Sequence, residues 1–354
     1  MSAALIDRNV FLKYIQNRTN WVAVLFVFVS LASAFPVCAD APLGNAEAAT
    51  KVNTYVASGM AYARRGNLGQ SIAEFTEALK LDPKLALAYY WRGLVSYKNN
   101  DYENAISDET QAIALDPKYA ASFCVRAAAY NGKGSYPLAI ADCDQALTLD
   151  PKSSETYNTR WAAYLGTGSY PQAIKDCTQA ILLNPKSAAA FTTRAAIYGH
   201  SKEFSKAIAD ASRAIELDPQ ATDAYVCRGS SYLSEGKYKE AESDYKKAIS
   251  TNANDAVAYV GLAGLYVAQK DYSQAIDRYT TALSLQSSSV EAYFGRGYAY
   301  YQKTNNDQAI ADLTQAIGLN PAYADAYALR ASVYDSKGDT VRADADRVKA
   351  QSLR

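Results

Sequence analysis

The sequence predicts an all-α solenoid of helix–turn–helix repeats, and three observations predict it. Proline falls at 83, 117, 151, 185 and 219, always 34 residues apart, and again at 321, three periods on. In that register the sixth position of every unit is aromatic: Tyr55, Tyr89, Phe123, Tyr157, Phe191, Tyr225, Tyr259, Tyr293 and Tyr327. The twenty-ninth is alanine in every unit, from Ala78 to Ala350. A fixed period of this length marks stacked supersecondary units, each burying its apolar face against its neighbours.

Composition bounds the function. The chain has 354 residues with 36 basic and 36 acidic side chains, one histidine, five cysteines and 29 tyrosines. Zero net charge argues against a general nucleic-acid binder, because no surplus of cations is present to displace counterions from phosphates. A single histidine, His200, excludes a multi-histidine metal site and leaves a Ser-His-Asp enzyme without support. No P-loop, GxGxxG, HExxH or paired CxxC occurs. The chain is read as non-catalytic and without cofactor or metal. Cys143 and Cys177 hold the same place in adjacent units, about a helix spacing of 8–10 Å apart, too far for a disulfide. Buried structural thiols are expected there and at Cys124 and Cys227.

Residues 1–39 form a separate object. Residues 19–39 carry no charge, and Arg8, Lys13 and Arg18 precede them. That order is a basic region, an apolar region from Trp21 to Leu31 and a small-residue zone, as in an export signal cleaved at Ala32-Ser33-Ala34 or Val37-Cys38-Ala39. The rival reading is a retained membrane anchor, with membrane contact only through residues 19–39. Either places the rest outside the cytoplasm, in a periplasm or cell envelope or secreted. Residues 40–49 read as a linker.

Residues 50–354 divide into nine units starting at 50, 84, 118, 152, 186, 220, 254, 288 and 322. Each shows two apolar stripes at three- and four-residue spacing, separated by a break such as Arg65-Gly66-Asn67 or Gly134-Ser135. Pro137 and Pro171 sit where a first helical turn tolerates proline. The Asp-Pro and Asn-Pro pairs stop the second helix, because the residue before proline is pushed out of the α region. Unit seven lacks both flanking prolines, and the softest junctions are expected near Ala253 and Ser287. Unit nine ends in a polar helix, with Asp344 and Gln351 at apolar slots, as a solubilising cap requires.

Tyr89-Tyr90-Trp91-Arg92-Gly93, Ala105 and Pro117, and again Tyr225, Arg228-Gly229, Tyr232, Ala241 and Tyr245, resemble the tetratricopeptide repeat motif of aromatic, Leu-Gly, Tyr, Ala, Phe and Pro. The resemblance covers residues 50–354 and implies a right-handed α-α superhelical solenoid whose first helices line a concave groove for partners. One departure recurs. The family's leucine is Arg92, Arg126, Arg160, Arg194, Arg228, Arg296 or Arg330 in seven units, and each carries an aspartate sixteen residues later. The two units without the arginine hold Ser58 with Glu74, and Leu262 with Arg278. This covariation predicts an Arg–Asp pair bridging the two helices.

Carrying the groove over assigns positions four, seven, eleven and fourteen of each unit to its wall. That stripe holds no lysine or arginine. The family's basic clamp for a C-terminal carboxylate is therefore absent, and a neutral or basic, extended or helical protein segment is the expected partner. Two aromatic clusters stand out, Tyr90–Leu94–Tyr97 and Phe294–Tyr298–Tyr301, with Asn131, Asn158 and the acids Glu155, Asp223 and Glu291 completing the candidate site. The clusters alternatively pack the wall itself. The function expected is a protein–protein interaction scaffold. The rivals are a glycan-binding or polysaccharide-secretion accessory, the substrate-recognition subunit of a separate enzyme, and a cytosolic scaffold.

Overall fold

A computed structural model describes residues 46–353. All regular structure among them is α-helical. The described residues fall into two compact units divided between Lys186 and Ser187. The first holds α1 (Ala46–Arg64), α2 (Leu68–Leu81), α3 (Ala86–Lys98), α4 (Tyr102–Leu115), α5 (Ala120–Gly132), α6 (Tyr136–Leu149), α7 (Ser154–Gly166) and α8 (Tyr170–Leu183). The second holds α9 (Ala188–His200), α10 (Phe204–Leu217), α11 (Thr222–Ser234), α12 (Tyr238–Thr251), α13 (Ala256–Ala268), α14 (Tyr272–Leu285), α15 (Val290–Gln302), α16 (Asn306–Leu319), α17 (Ala324–Ser336) and α18 (Thr340–Ser352). Within each unit the helices pair as hairpins, and successive hairpins pack side by side. The leader read over residues 1–39, and the linker up to 45, lie outside the described residues.

The break inside each hairpin has a backbone cause. One residue per turn takes a left-handed conformation: Gly66, Asn100, Gly134, Gly168, Lys202, Gly236, Lys270, Thr304 and Gly338. The next N–H then reaches back to a carbonyl five residues earlier, as Asn67 does to Tyr62 and Ser135 to Tyr130. This Schellman closure satisfies the carbonyls a helix end leaves open.

The junctions between hairpins show that proline is not required. The residue closing α2, Asp82, is extended at φ −133° before Pro83. Asn252 and Gln286, which no proline follows, adopt φ −137° and −138°. In all three the N–H bonds back to an alanine carbonyl four residues earlier, Ala78, Ala248 or Ala282. α13 and α14 contribute Leu262, Leu265, Tyr266, Val267 and Tyr279 to the second unit's core.

The expected Arg–Asp pairs are present in each unit. In the first, Nε and Nη2 of Arg92, Arg126 and Arg160 donate to both carboxylate oxygens of Asp108, Asp142 and Asp176 at 2.6–2.8 Å. In the second, Arg194, Arg228, Arg296 and Arg330 do the same to Asp210, Asp244, Asp312 and Asp346 at 2.7–2.8 Å. The remaining Nη1 donates to the preceding hairpin's second helix, to Thr76, Thr110 or Asp144 in the first unit and Ser212, Thr280 or Thr314 in the second. One guanidinium therefore ties three helices together. The sixth-position ring lies over it at 5.6–5.8 Å in each case, from Tyr89 to Tyr327. The bond to aspartate is the main reason Arg92, Arg126, Arg160, Arg228, Arg296 and Arg330 hold their protons above the usual arginine value. Twenty of the 29 tyrosines fall at positions six, thirteen and nineteen of the repeat, and those at position six beside an arginine present an aromatic face that suits a planar cation half-withdrawn from water.

Candidate functional site

The candidate wall residues separate into three groups. Tyr90, Leu94 and Phe294 are core, at 8%, 2% and 3% exposure. The helical stripe gives their direction correctly, but the loop entering the next hairpin covers them. Tyr119 meets the Tyr90 ring edge-on at 5.0 Å, and Tyr323 lies 5.1 Å from Phe294. Burial holds the Tyr90 hydroxyl well above its usual range. These three are packing residues, which matches the alternative reading of the clusters.

A second group is engaged locally. Asn158 accepts from the Trp161 indole at 3.3 Å, Glu291 accepts from the Ser289 hydroxyl at 3.5 Å, and the Tyr298 ring lies 6.4 Å from Tyr272. The Tyr301 hydroxyl accepts from Ser336 at 3.4 Å. Asp223 is exposed on the first turn of α11, where shielding by the surrounding protein and the charge of Asp255 raise its carboxyl.

The third group makes up the candidate site. Tyr97 near the end of α3, Asn131 near the end of α5 and Glu155 at the start of α7 are half-buried on successive first helices. Asn131 donates its Nδ2 to the Thr159 carbonyl at 2.8 Å, which fixes the amide and leaves Oδ1 unpartnered. Oε1 of Glu155 is likewise shielded from solvent without a partner. Burial raises the Glu155 carboxyl, and the nearby Lys98 pulls it back. Lys98 makes no ion pair with it, and burial lowers the lysine. Burial, with Tyr102, Cys124 and Glu155 adding to it, pushes Tyr97 up to about 12, so its hydroxyl stays protonated. Cys124, behind this face, is buried and pushed up to about 12 by burial, which makes it an inert thiol.

Buried polar atoms without partners are uncommon, and each costs about 1–3 kcal/mol. Two acceptors, one of them a carboxylate, and a donor-acceptor phenol have the chemistry to receive N–H groups or a cation. Among the described residues no group of three or more His, Cys, Asp or Glu is placed to hold a metal ion. None of the described helices is long and apolar enough to cross a membrane.

Three repeat models match this chain. One described as a TPR repeat takes in residues 59–100 and 264–304. Two described as tetratricopeptide repeats take in 86–119, 222–255 and 290–323, and 163–222. Together they span more than half of the sequence. The chain belongs to the tetratricopeptide repeat family. No curated protein matches it in sequence. Similar solved structures include the APC/C hetero-tetramer Cut9-Hcn1, at 16% identity over 85% of this chain and 73% of that one, with a TM-score of 0.58. A tetratricopeptide repeat protein from Parabacteroides merdae matches at 16% identity over 80% and 99%, with a TM-score of 0.56. At such identities the likeness is one of fold.

Two features were not legible as site residues. Glu109 stands where other repeats place Phe75, Cys143, Tyr245 and Tyr279, and it is fully buried with both oxygens unpartnered. Lys98 lies one residue past the stripe. Aligning the units position by position displays the first; the second needs the three-dimensional neighbourhood of Glu155.

Proposed function

We propose that this tetratricopeptide repeat protein is a non-catalytic scaffold that holds a partner protein on the face of α3, α5 and α7. The partner offers a helical or extended segment with a lysine, an arginine or free backbone N–H groups. The observation that carries this reading is the pair of shielded acceptors, Asn131 Oδ1 and Glu155 Oε1, beside the Tyr97 phenol. N–H donors seated there satisfy the shielded acceptors, and a cation also neutralises Glu155. The glycan reading draws less support, because Tyr90 and Phe294 are closed in by Tyr119 and Tyr323 rather than open for stacking.

The charge pattern of residues 1–39 supports export to a cell envelope or the exterior, where the scaffold would organise other envelope proteins. N-terminal sequencing of the mature protein tests that part. The binding part is tested with a panel of labelled helical peptides that differ only in carrying Lys, Gln or Glu at one central position. Fluorescence anisotropy should rank Lys above Gln above Glu. Glu155→Gln should weaken the Lys peptide about tenfold, the equivalent of about 1.4 kcal/mol. Equal binding of all three peptides sinks the proposal.

A further inference from the structure

The Arg–Asp ladder breaks in one hairpin of the second unit, and what replaces it is not neutral. In α13 the arginine slot is Leu262, which is buried at 3% exposure. In α14 the aspartate slot is Arg278. In α12 the slot that elsewhere supplies a hydroxyl to the third guanidinium arm, as Ser212 and Thr280 do, is Lys246. The cation of the ladder is therefore retained, delivered from the opposite helix, while its carboxylate has been displaced and a second cation added.

Arg278 makes no hydrogen bond or ion pair with any described residue, and its Nε is shielded from solvent without an acceptor. It lies close enough to Tyr266 and Lys246 for its charge to oppose, in small part, the rise that burial gives the Tyr266 hydroxyl and that Glu242 gives the Lys246 ammonium. The carboxylate beside Lys246 and Tyr266, Glu242, is already shared: Lys246 donates to it at 2.7 Å and the Tyr266 hydroxyl at 3.3 Å. Among the described residues Arg278 has no carboxylate of its own. In the other hairpins of this unit, both the Nε and Nη2 arms of the guanidinium are filled by a carboxylate. A guanidinium fork matches that group better than any other in proteins.

We propose that Arg278, with Lys246 beside it, is a binding site for a carboxylate supplied in trans, the Asp or Glu side chain of an acidic segment on a partner protein. The carboxylate would take the Arg278 fork as Asp244 takes that of Arg228, with Lys246 as the second counter-charge. The site lies in the second compact unit and does not depend on the α3–α5–α7 reading.

The test uses the full chain labelled with 15N-arginine, observing the side-chain Nε–Hε resonances. The probes are a capped tripeptide with a central Glu, its Gln counterpart and inorganic phosphate, each at matched ionic strength. The Glu peptide should shift the Arg278 resonance in a saturating manner at millimolar concentration, with the Gln peptide at least tenfold weaker. The reciprocal exchange Leu262→Arg with Arg278→Asp rebuilds the internal pair; it should leave the remaining arginine resonances in place and abolish the response to peptide. No saturable shift, an equal response to the Gln peptide, or phosphate binding tenfold tighter than the Glu peptide overturns the assignment.

Discussion

Removing Asp244 isolates the energetic role of the ladder. Asp244 accepts two bonds from Arg228 at 2.8 Å, with side-chain exposures of 7% and 21%. Asp244→Ala leaves the guanidinium in a half-buried slot with Ser212, the Tyr225 face and nearby Tyr232 but no carboxylate partner. Breaking a fully buried pair from one side costs about 3–5 kcal/mol. The residual exposure of Arg228 lets water recover part of that, so about 2–4 kcal/mol is expected. Removing the cation as well should be far milder. Arg228→Leu with Asp244→Ala places a leucine where α13 carries the buried Leu262, leaves no unpaired charge, and should cost about 1 kcal/mol. The assay is a double-mutant cycle by urea denaturation. Native-state amide exchange on α11 and α12 runs alongside, because a repeat array need not unfold in one step. The coupling energy should exceed about 1.5 kcal/mol. A cost under about 0.5 kcal/mol for Asp244→Ala, or strict additivity, refutes the view that these pairs hold the hairpins in register.

Three further outcomes follow. Burial holds the Glu109 carboxyl well above the usual glutamate range, with Asp108 adding to it and Ser122 and Arg126 pulling back. A raised acid binds its proton on folding. Its stabilising contribution is whole below about pH 4.3 and is lost as pH rises towards the folded value, at up to about 1.4 kcal/mol per unit. Denaturation midpoints between pH 5 and 8 should therefore fall with pH in the wild type and flatten in Glu109→Gln; parallel slopes contradict this. Gly261→Ala places a Cβ 2.3 Å from the ring of the fully buried Tyr245 and should cost about 1–3 kcal/mol by urea titration. Thr304, a β-branched residue at φ 61°, should gain about 1 kcal/mol on replacement by glycine. An unchanged midpoint there means the turn is already relaxed.

The hairpin architecture was legible because no insertion breaks the register, so every position could be compared with its copies. Covariation of Arg92 with Asp108 and of Leu262 with Arg278 exposed the ion pair, since its two halves sit in one repeat. Its third arm, to Thr76 or Thr280, belongs to the preceding hairpin and leaves no mark within a single unit. The same reason hid the fate of Tyr90 and Phe294. A helical stripe states which way a side chain points, whereas Tyr119 and Tyr323 arrive from the next hairpin's entry loop and close over it. Asn131, Glu155 and Tyr97 were named from the stripe alone; that two of them hold shielded, unpartnered acceptors is a property of packing that no spacing encodes.

The claim that this face seats a partner is tested most directly by site-specific photocrosslinking in native cells. A benzophenone side chain is placed at Tyr97 or, as control, at exposed Leu149. A discrete adduct should form from position 97 and not from 149, its crosslinked peptide should carry a lysine or arginine near the attachment point, and Glu155→Gln should reduce it several-fold. Adducts of equal yield from both positions, or a yield indifferent to Glu155, would contradict the account.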